Sequence, residues 1–254
     1  MDQPEWVEAV EGAFTLTETD GTSWTYLPLK SEEEAQTVLA GEAVFCKYEP
    51  CQLEEGVDWG LQWVEHAPDF KDSTVQIDLS KYTERQLPLL YLKPGPGFGD
   101  FSHPTTRLVL SLMAEQVEGK KVVDIGCGSG ILTLAALLLG AQEAIGLDID
   151  PDALVHAEEN RSLNQLPQAV FMLTEDYRGS QGEPLVVVMN MIRSEQKIAW
   201  ASLPALHSVP GTLFTSGVLV SERDIYLSEC AQRGWKLLHE VSEGDWMAFQ
   251  FAQT

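Results

Sequence analysis

The fold is decided by the stretch Val122-Val-Asp-Ile-Gly-Cys-Gly-Ser-Gly-Ile131, in which an apolar run passes directly into a glycine-rich turn. Lys121–Ile125 predicts a buried strand, and a helical pattern over Ile131–Leu139 begins where the turn ends. The turn contains three alternating glycines, Gly126, Gly128 and Gly130. Glycines let the backbone turn tightly and approach a ligand closely. A nicotinamide dinucleotide site favours a third glycine one position later, where this chain has Ile131, so that site is not indicated.

Acidic residues lie on both sides of this turn. Asp124 precedes the glycines, and Asp148, 22 residues past Gly126, ends the next predicted strand. A carboxylate at that strand tip can accept hydrogen bonds from both ribose hydroxyls of a nucleoside bound beside the first strand. The alternative is that Asp148 caps the following helix. We assign that capping role to Asp150, because Pro151 follows it directly.

Outward from the turn, strand and helix patterns alternate to the end of the sequence. The predicted strands are Lys121–Ile125, Ala144–Asp148, Ala169–Leu173, Leu185–Met189, Gly211–Ser216, Trp235–Val241 and Trp246–Phe251. The predicted helices are Thr105–Val117, Ile131–Leu139, Pro151–Leu163, Glu195–Leu206 and Ser221–Arg233. Such alternation predicts an α/β fold with a doubly wound, mostly parallel, seven-stranded sheet, in which the final strand pair adds an antiparallel edge.

The region before residue 101 lacks this alternation. Its predicted elements are strands Ala13–Thr17, Ser23–Leu29 and Ala43–Tyr48, a capped helix Ser31–Leu39, a short helix at 57–66, and strands Val75–Leu79 and Leu87–Leu92. We therefore expect three parts: a small α+β recognition domain at 1–57, a linker helix with strands and a Gly/Pro-rich loop at 58–100, and the main domain at 101–254.

Two further segments carry polar or aromatic side chains suited to a site. Asn190 ends the buried run Leu185–Met189, at the carboxyl edge where such sheets bind ligands. Its side-chain amide and the following carbonyls could hold an amine; the alternative is that Asn190 only terminates the strand. The Gly/Pro-rich loop 94–102 precedes His103, Thr105 and Thr106, and it is well placed to close over the sheet. The alternative is an ordinary linker with Thr105 as a helix N-cap.

Composition limits the function classes. The net charge is −23, and residues 1–80 hold 18 acidic and 3 basic side chains. Since nucleic-acid binders need a basic face, we expect no direct nucleic-acid contact. The acidic surface favours a basic protein partner. The alternative is that the acidity only maintains solubility. No apolar run is long enough to span a membrane, and the first residues do not resemble a secretory signal. The four cysteines indicate reduced thiols, no metal site and a cytoplasmic location.

Together these segments resemble the PrmA family, the ribosomal protein L11 methyltransferases, which are class I methyltransferases with a Rossmann-like sheet. The resemblance covers about residues 57–254. The matching motifs are Phe98-Gly…His103-Pro-Thr-Thr, Gly126-Cys-Gly-Ser-Gly-Ile-Leu, Ala136…Leu139-Gly-Ala, Ala144-Ile-Gly-Leu-Asp-Ile-Asp-Pro151, Asn190 and Glu243-Gly-Asp-Trp246.

The resemblance implies S-adenosylmethionine (SAM) as the methyl donor and a lysine side chain or N-terminal amine of ribosomal protein L11 as the acceptor. It also implies a monomer with a small N-terminal recognition domain. By matching position, the implied SAM contacts are Thr106, Gly126, Asp148 and Asn190. The glycine-turn pattern adds Asp124, Gly128 and Gly130 as candidate cofactor-binding residues. The candidates that act on the acceptor are Asn190, Phe98 and His103, with His103 either a general base or a structural residue.

Methyl transfer needs a neutral amine, and an apolar surface lowers the pKa of a lysine. We expect Phe98, Phe101 and Trp246 to form that surface. The chain departs from the family at Asp100, where the loop usually carries Gly-Thr-Gly after its Phe, and in the N-terminal module. The alternatives are a nucleic-acid base methyltransferase, a small-molecule methyltransferase and a non-catalytic SAM-binding protein.

Overall fold

The computed structural model describes residues 14–17, 23–26, 70–99, 101–179 and 185–253. The chain divides into two compact units, Met1–Gly56 and Val57–Thr254. In the first unit, strands β1 (Phe14–Thr17) and β2 (Ser23–Tyr26) form an antiparallel hairpin. The helices predicted at 31–39 and 57–66 and the strand predicted at 43–48 lie outside the described residues.

The second unit contains the alternating part of the chain. Its described strands are β3 (Phe70–Lys71), β4 (Thr74–Ile77), β5 (Leu90–Leu92), β6 (Lys121–Ile125), β7 (Glu143–Asp148), β8 (Ala169–Leu173), β9 (Leu185–Asn190), β10 (Gly211–Leu219), β11 (Trp235–Glu243) and β12 (Trp246–Gln253). Its described α-helices are α1 (Pro104–Met113), α2 (Ile131–Leu138), α3 (Pro151–Leu163), α4 (Arg193–Ser202) and α5 (Arg223–Gln232).

The predicted sheet is confirmed. Seven strands pair in the order β11-β12-β10-β9-β6-β7-β8, and the pairs from β10 to β8 are parallel. The last two strands are antiparallel, so the terminal hairpin forms one edge. Parallel strands place their carboxyl ends at one edge of a sheet. The ends of β6, β7 and β9 therefore lie side by side there.

Helices cover both faces of this sheet, as the doubly wound prediction requires. Strands β6 and β9 read as nearly continuous apolar runs because each is buried on two sides. On one face, α1 and α2 pack around Val109, Leu134 and Val186. On the other face, the core includes Trp200 from α4 and Tyr226 from α5.

A separate three-stranded antiparallel sheet, β3-β4-β5, precedes α1. Its inward residues belong to the same core as α1 and α2. Two side chains of α3 fix the end of β5, because Asn164 Oδ1 accepts from Tyr91 N and Asn160 Oδ1 accepts from Lys93 N, each at 2.8 Å. These bonds fix the start of the Gly/Pro-rich loop.

Some predicted boundaries shift for identifiable reasons. The helix expected to run to Leu206 ends at Ser202, and a 3-10 turn, Pro204–Leu206, follows. Proline disfavours helical backbone at the preceding residue, and Leu203 has left the helical region. Strand β10 continues beyond Ser216 because Gly217, with φ +88°, forms a bulge that restores pairing with β12. No helix among the described segments has the length and hydropathy to cross a bilayer.

Candidate active site

The glycine turn joins β6 to α2 at the carboxyl edge of the sheet. Gly126, Gly128 and Gly130 have φ values of +70°, +52° and +79°, a left-handed region that favours glycine. The amides of Gly126 and Cys127 donate to the carbonyl of Leu147 at 2.7 and 3.0 Å, which ties the turn to β7. The turn is therefore held beside the acidic end of β7.

Asp148 contacts the glycine turn directly. Its Oδ2 accepts from Gly128 N at 2.9 Å, and its Oδ1 accepts from the amides of Ile149 and Asp150 at 2.8 and 3.1 Å. A carboxylate offers about four acceptor positions, so further donors can still bind. Asp150 caps α3 by accepting from Asp152 N, as predicted, so the capping alternative does not account for Asp148.

Asp124 lies buried beneath the turn. Its Oδ2 accepts from Thr133 Oγ1 at 2.7 Å, while its Oδ1 is buried and has no hydrogen-bond partner in the described part of the chain. Burial raises the pKa of the Asp124 carboxyl from 3.8 to about 7, and the bond from Thr133 opposes part of that rise. An unpaired buried oxygen is costly, so this position favours a bound donor.

Asn190 and Thr106 meet on the other side of the turn. Asn190 Nδ2 donates to Thr106 Oγ1 at 3.2 Å, which joins the end of β9 to the first turn of α1. Asn190 Oδ1 is buried and accepts from no group among the described residues. This amide oxygen therefore retains unused acceptor capacity.

The Gly/Pro-rich loop lies against the glycine turn. Ser129 N donates to Phe98 O at 2.8 Å, and Ser129 Oγ donates to Gly99 O at 2.7 Å. A Cβ at Gly97 would lie 2.6 Å from the carbonyl carbon of Gly128, so only glycine permits this approach. The loop places exposed Phe98 at the carboxyl edge of the sheet.

His156 anchors the same loop from α3, a role that the sequence did not reveal. Its Nε2 lies 2.7 Å from Lys93 O, and its Nδ1 accepts from Gly97 N at 3.2 Å. Burial lowers the pKa of His156, so the ring is neutral near pH 7. The available signal was periodicity, because His156 and Asn160 are buried on the same face of α3 as Ala153 and Ala157.

Three rings form an aromatic row beside Asn190 and Thr106. The centroid of His103 lies 5.7 Å from that of Phe98 and 4.9 Å from that of Trp246, both edge to face. His103, rather than Thr105, is the N-cap of α1, and its Nδ1 lies 2.8 Å from Thr105 Oγ1. The expectation that Phe101 belongs to this surface is wrong, because Phe101 is buried and packs edge-on against Tyr82.

Arg107 connects the loop to the final hairpin. Its guanidinium donates to the carbonyls of Phe101 and Ser102 and forms an ion pair with Glu243, near the β11–β12 turn. The backbone of Phe101 has φ +71°, which is unfavourable for a phenylalanine and needs support from its surroundings. Arg107 supplies part of that support.

A cavity of about 650 Å³ lies elsewhere, between α4 and α5. It contains none of the predicted site residues. The carboxyl edge of the sheet instead combines the glycine turn, the Asp148 carboxylate, the Asn190 amide and the aromatic row. We take this edge as the candidate site, because its groups suit a nucleoside and a second, nitrogen-bearing substrate.

Comparison with known proteins identifies what this arrangement is similar to. The family model "Ribosomal protein L11 methyltransferase (PrmA)" matches residues 26–254. A ribosomal protein L11 methyltransferase from Hahella chejuensis is 32% identical over 207 residues, which cover 78% of this chain and 68% of that protein. One from Geobacter metallireducens is 35% identical over 158 residues, covering 62% of this chain and 52% of that protein.

A solved structure gives the same result. The ribosomal protein L11 methylase from Lactobacillus delbrueckii subsp. bulgaricus aligns with a TM-score of 0.59 at 25% identity, covering 70% of this chain and 98% of that chain. The match to the Geobacter relative spans only about half of that protein's length.

Proposed function

Because the chain belongs to the PrmA family of ribosomal protein L11 methyltransferases, we propose that it transfers methyl groups from SAM to amines of ribosomal protein L11. One observation carries the proposal at the level of the site. The carboxylate of Asp148 at the glycine turn and the unpaired amide oxygen of Asn190 occur at one edge of the sheet. A donor that carries a nucleoside and an acceptor amine need these two kinds of group.

The cofactor would be held by the residues around the glycine turn. These are Thr106, Asp124, Gly126, Gly128, Gly130, Asp148 and Asn190. Asp148 would accept from the ribose hydroxyls, and the unpaired oxygen of Asp124 favours a donor from the ligand or an ordered water. Ile149, an exposed apolar side chain next to Asp148, would contact the adenine base.

The remaining groups act on the acceptor. When bound, SAM supplies an electrophilic methyl group on a sulfonium, so the reaction is an in-line displacement by a neutral amine. Asn190 Oδ1 would accept an N–H of that amine and turn its lone pair toward the methyl group. A lysine in water has a pKa of about 10.4, and the apolar faces of Phe98 and Trp246 would lower it.

His103 is the third candidate on the acceptor side. Its Nδ1 contacts Thr105 at the start of α1, and its ring lies between Phe98 and Trp246. These contacts favour a positioning role over proton transfer. In that role the His103 ring fixes the distance between the rings of Phe98 and Trp246. The amine proton would then pass to solvent.

Charge and location complete the proposal. An excess of 23 negative charges would attract a basic ribosomal protein and repel nucleic acid. We further propose that residues 1–57 choose the protein partner, that the protein acts as a monomer, and that it acts in the cytoplasm, where ribosomal proteins are made.

The test uses purified L11 incubated with SAM and followed by intact-mass spectrometry. We expect the mass of L11 to rise in steps of one methyl group. We also expect Asp148→Ala to remain folded and to lose SAM binding in calorimetry, with Asp152→Ala as the matched carboxylate control on α3. An unchanged mass of L11, despite SAM binding by the parent protein, would overturn the proposed activity. Unchanged SAM affinity in Asp148→Ala would overturn the ribose assignment.

A further inference from the structure

Apolar side chains are exposed where β9 and β10 end. Ile192 is 50% exposed, Leu219 is 36% exposed and Val220 is 47% exposed, although Leu219 ends a largely buried strand and the other two closely follow one. We call these three residues the apolar rim. Single exposed apolar residues are ordinary, but a cluster beside a candidate site marks an interaction surface.

Backbone contacts bring the apolar rim together. At the bulge of β10, a Cβ on Gly217 would overlap the carbonyl of Met191 and lie 3.0 Å from the amide of Ile192. Only glycine therefore lets the chain before α4 approach β10. The backbone at Ile192 is consequently held against β10 two residues before Leu219.

The rim is continuous with the proposed acceptor site. Leu219 is paired with Trp246 in the β10–β12 ladder, and Val220 N donates to Asp245 O at 2.8 Å. On the β9 side, Ile192 lies two residues after Asn190, whose amide oxygen is the proposed amine contact. The rim is therefore adjacent, along both strands, to residues of the proposed acceptor site.

The charges around the rim indicate what kind of chain fits. Both nearby arginines are neutralised, since Arg193 pairs with Glu222 and Glu229 and Arg223 pairs with Glu240. Glu195 and Asp245 are exposed, and neither forms an ion pair within the described ranges. An apolar strip edged by unpaired carboxylates is complementary to a segment that mixes apolar and basic side chains.

We propose that the apolar rim binds the substrate segment next to the acceptor amine, with an apolar side chain on Ile192 and Val220 and basic side chains toward Glu195 and Asp245. This inference rests on the proposed function and identifies the part of the substrate that the catalytic unit itself contacts. Binding energy from such remote contacts helps to orient the reacting amine.

The test compares the double variant Ile192→Ser/Val220→Ser with the parent protein. The matched control is Ile198→Ser/Ile225→Ser, since these isoleucines are 72% and 53% exposed on α4 and α5 away from the rim. We measure the Kd for fluorescently labelled L11 directly, the KM and kcat for L11 methylation, and the Kd for SAM. We expect the rim variant to raise both the Kd and the KM for L11 about tenfold, with unchanged SAM affinity, while the control stays within about twofold of the parent.

The outcomes separate the two proposals. If the parent protein binds L11 without methylating it, the proposed function is overturned. The rim proposal is then tested by comparing the Kd for L11 of the parent protein with that of the rim variant. An unchanged L11 Kd in the rim variant would overturn the rim proposal, as would parent protein that does not bind L11. A parent dimer in analytical ultracentrifugation that the rim variant dissociates would also overturn it, because the rim would then join two copies.

Discussion

The buried carboxyl group of Asp124 gives the site a defined pH dependence. Its pKa is raised from 3.8 to about 7, mainly by burial, so the folded protein holds a proton that the unfolded chain releases above pH 4. The stabilisation from this proton is complete below the unfolded pKa and is lost as the pH rises through 7. Above pH 7 the folded protein carries a buried, partly unsatisfied charge.

We therefore predict that Asp124→Asn raises the melting temperature of the ligand-free protein by several degrees at pH 8. The reason is that asparagine retains an acceptor for Thr133 without the charge. Thermal unfolding followed by circular dichroism at pH 4 and pH 8 measures the effect, and pH 4 serves as the internal control, because there both side chains are neutral. An equal difference between variant and parent at both pH values would contradict the pKa assignment.

Individual residues also show which parts of the site can be predicted from the sequence. Asp148 and Asn190 were found because each is a polar residue at the end of an apolar strand, a pattern that depends only on neighbours in sequence. His156 was missed because its partners, Lys93 and Gly97, are about sixty residues away. Phe101 was placed wrongly for a related reason, since its left-handed backbone turns the ring into the core.

At the scale of elements, Arg107 joins three parts of the site. From α1 it donates to the carbonyls at Phe101 and Ser102, and it pairs with Glu243 at the end of β11. The loop carries Phe98, and the hairpin carries Trp246. We therefore expect Arg107 to act as a positioning residue that fixes the spacing of the aromatic row.

We predict that Arg107→Ala lowers kcat for L11 methylation about tenfold while SAM affinity stays within about twofold. Arg107→Lys should recover little of this loss. The planar guanidinium of arginine donates to two carbonyls and a carboxylate at once, and the ammonium group of lysine cannot reproduce that geometry. Steady-state kinetics and SAM calorimetry measure the two quantities.

The matched control for this prediction is Arg223→Ala. Arg223 is also an arginine that pairs with a glutamate of β11, Glu240. Within the described residues its side-chain hydrogen bonds and ion pairs go to Glu240 and Asp224 and not to the loop. We expect its kcat to be unchanged. Equal losses of kcat in the Arg107 and Arg223 variants would show that general stability, and not the spacing of the row, is responsible.

At the scale of the whole molecule, the sheet was predictable because its strands alternate with helices at regular spacing. Boundaries moved where a single residue changes the backbone, as Pro204 does after α4 and Gly217 does in β10. The contact between the Gly/Pro-rich loop and the glycine turn could not be predicted from the sequence, because it depends on the close approach of Gly97 to Gly128. Composition predicted only that a loop would occur there.

We propose that one edge of this sheet holds SAM and a ribosomal protein amine together. The most direct measurement incubates the protein with methyl-labelled SAM and ribosomal proteins from cells that lack their own enzyme of this family, and then identifies the labelled bands by electrophoresis. Our account predicts label on ribosomal protein L11 and none with Asp148→Ala. Label on another protein would support methyl transfer but contradict L11 as the substrate. The absence of any label despite measured SAM binding would contradict a shared site for SAM and a protein amine.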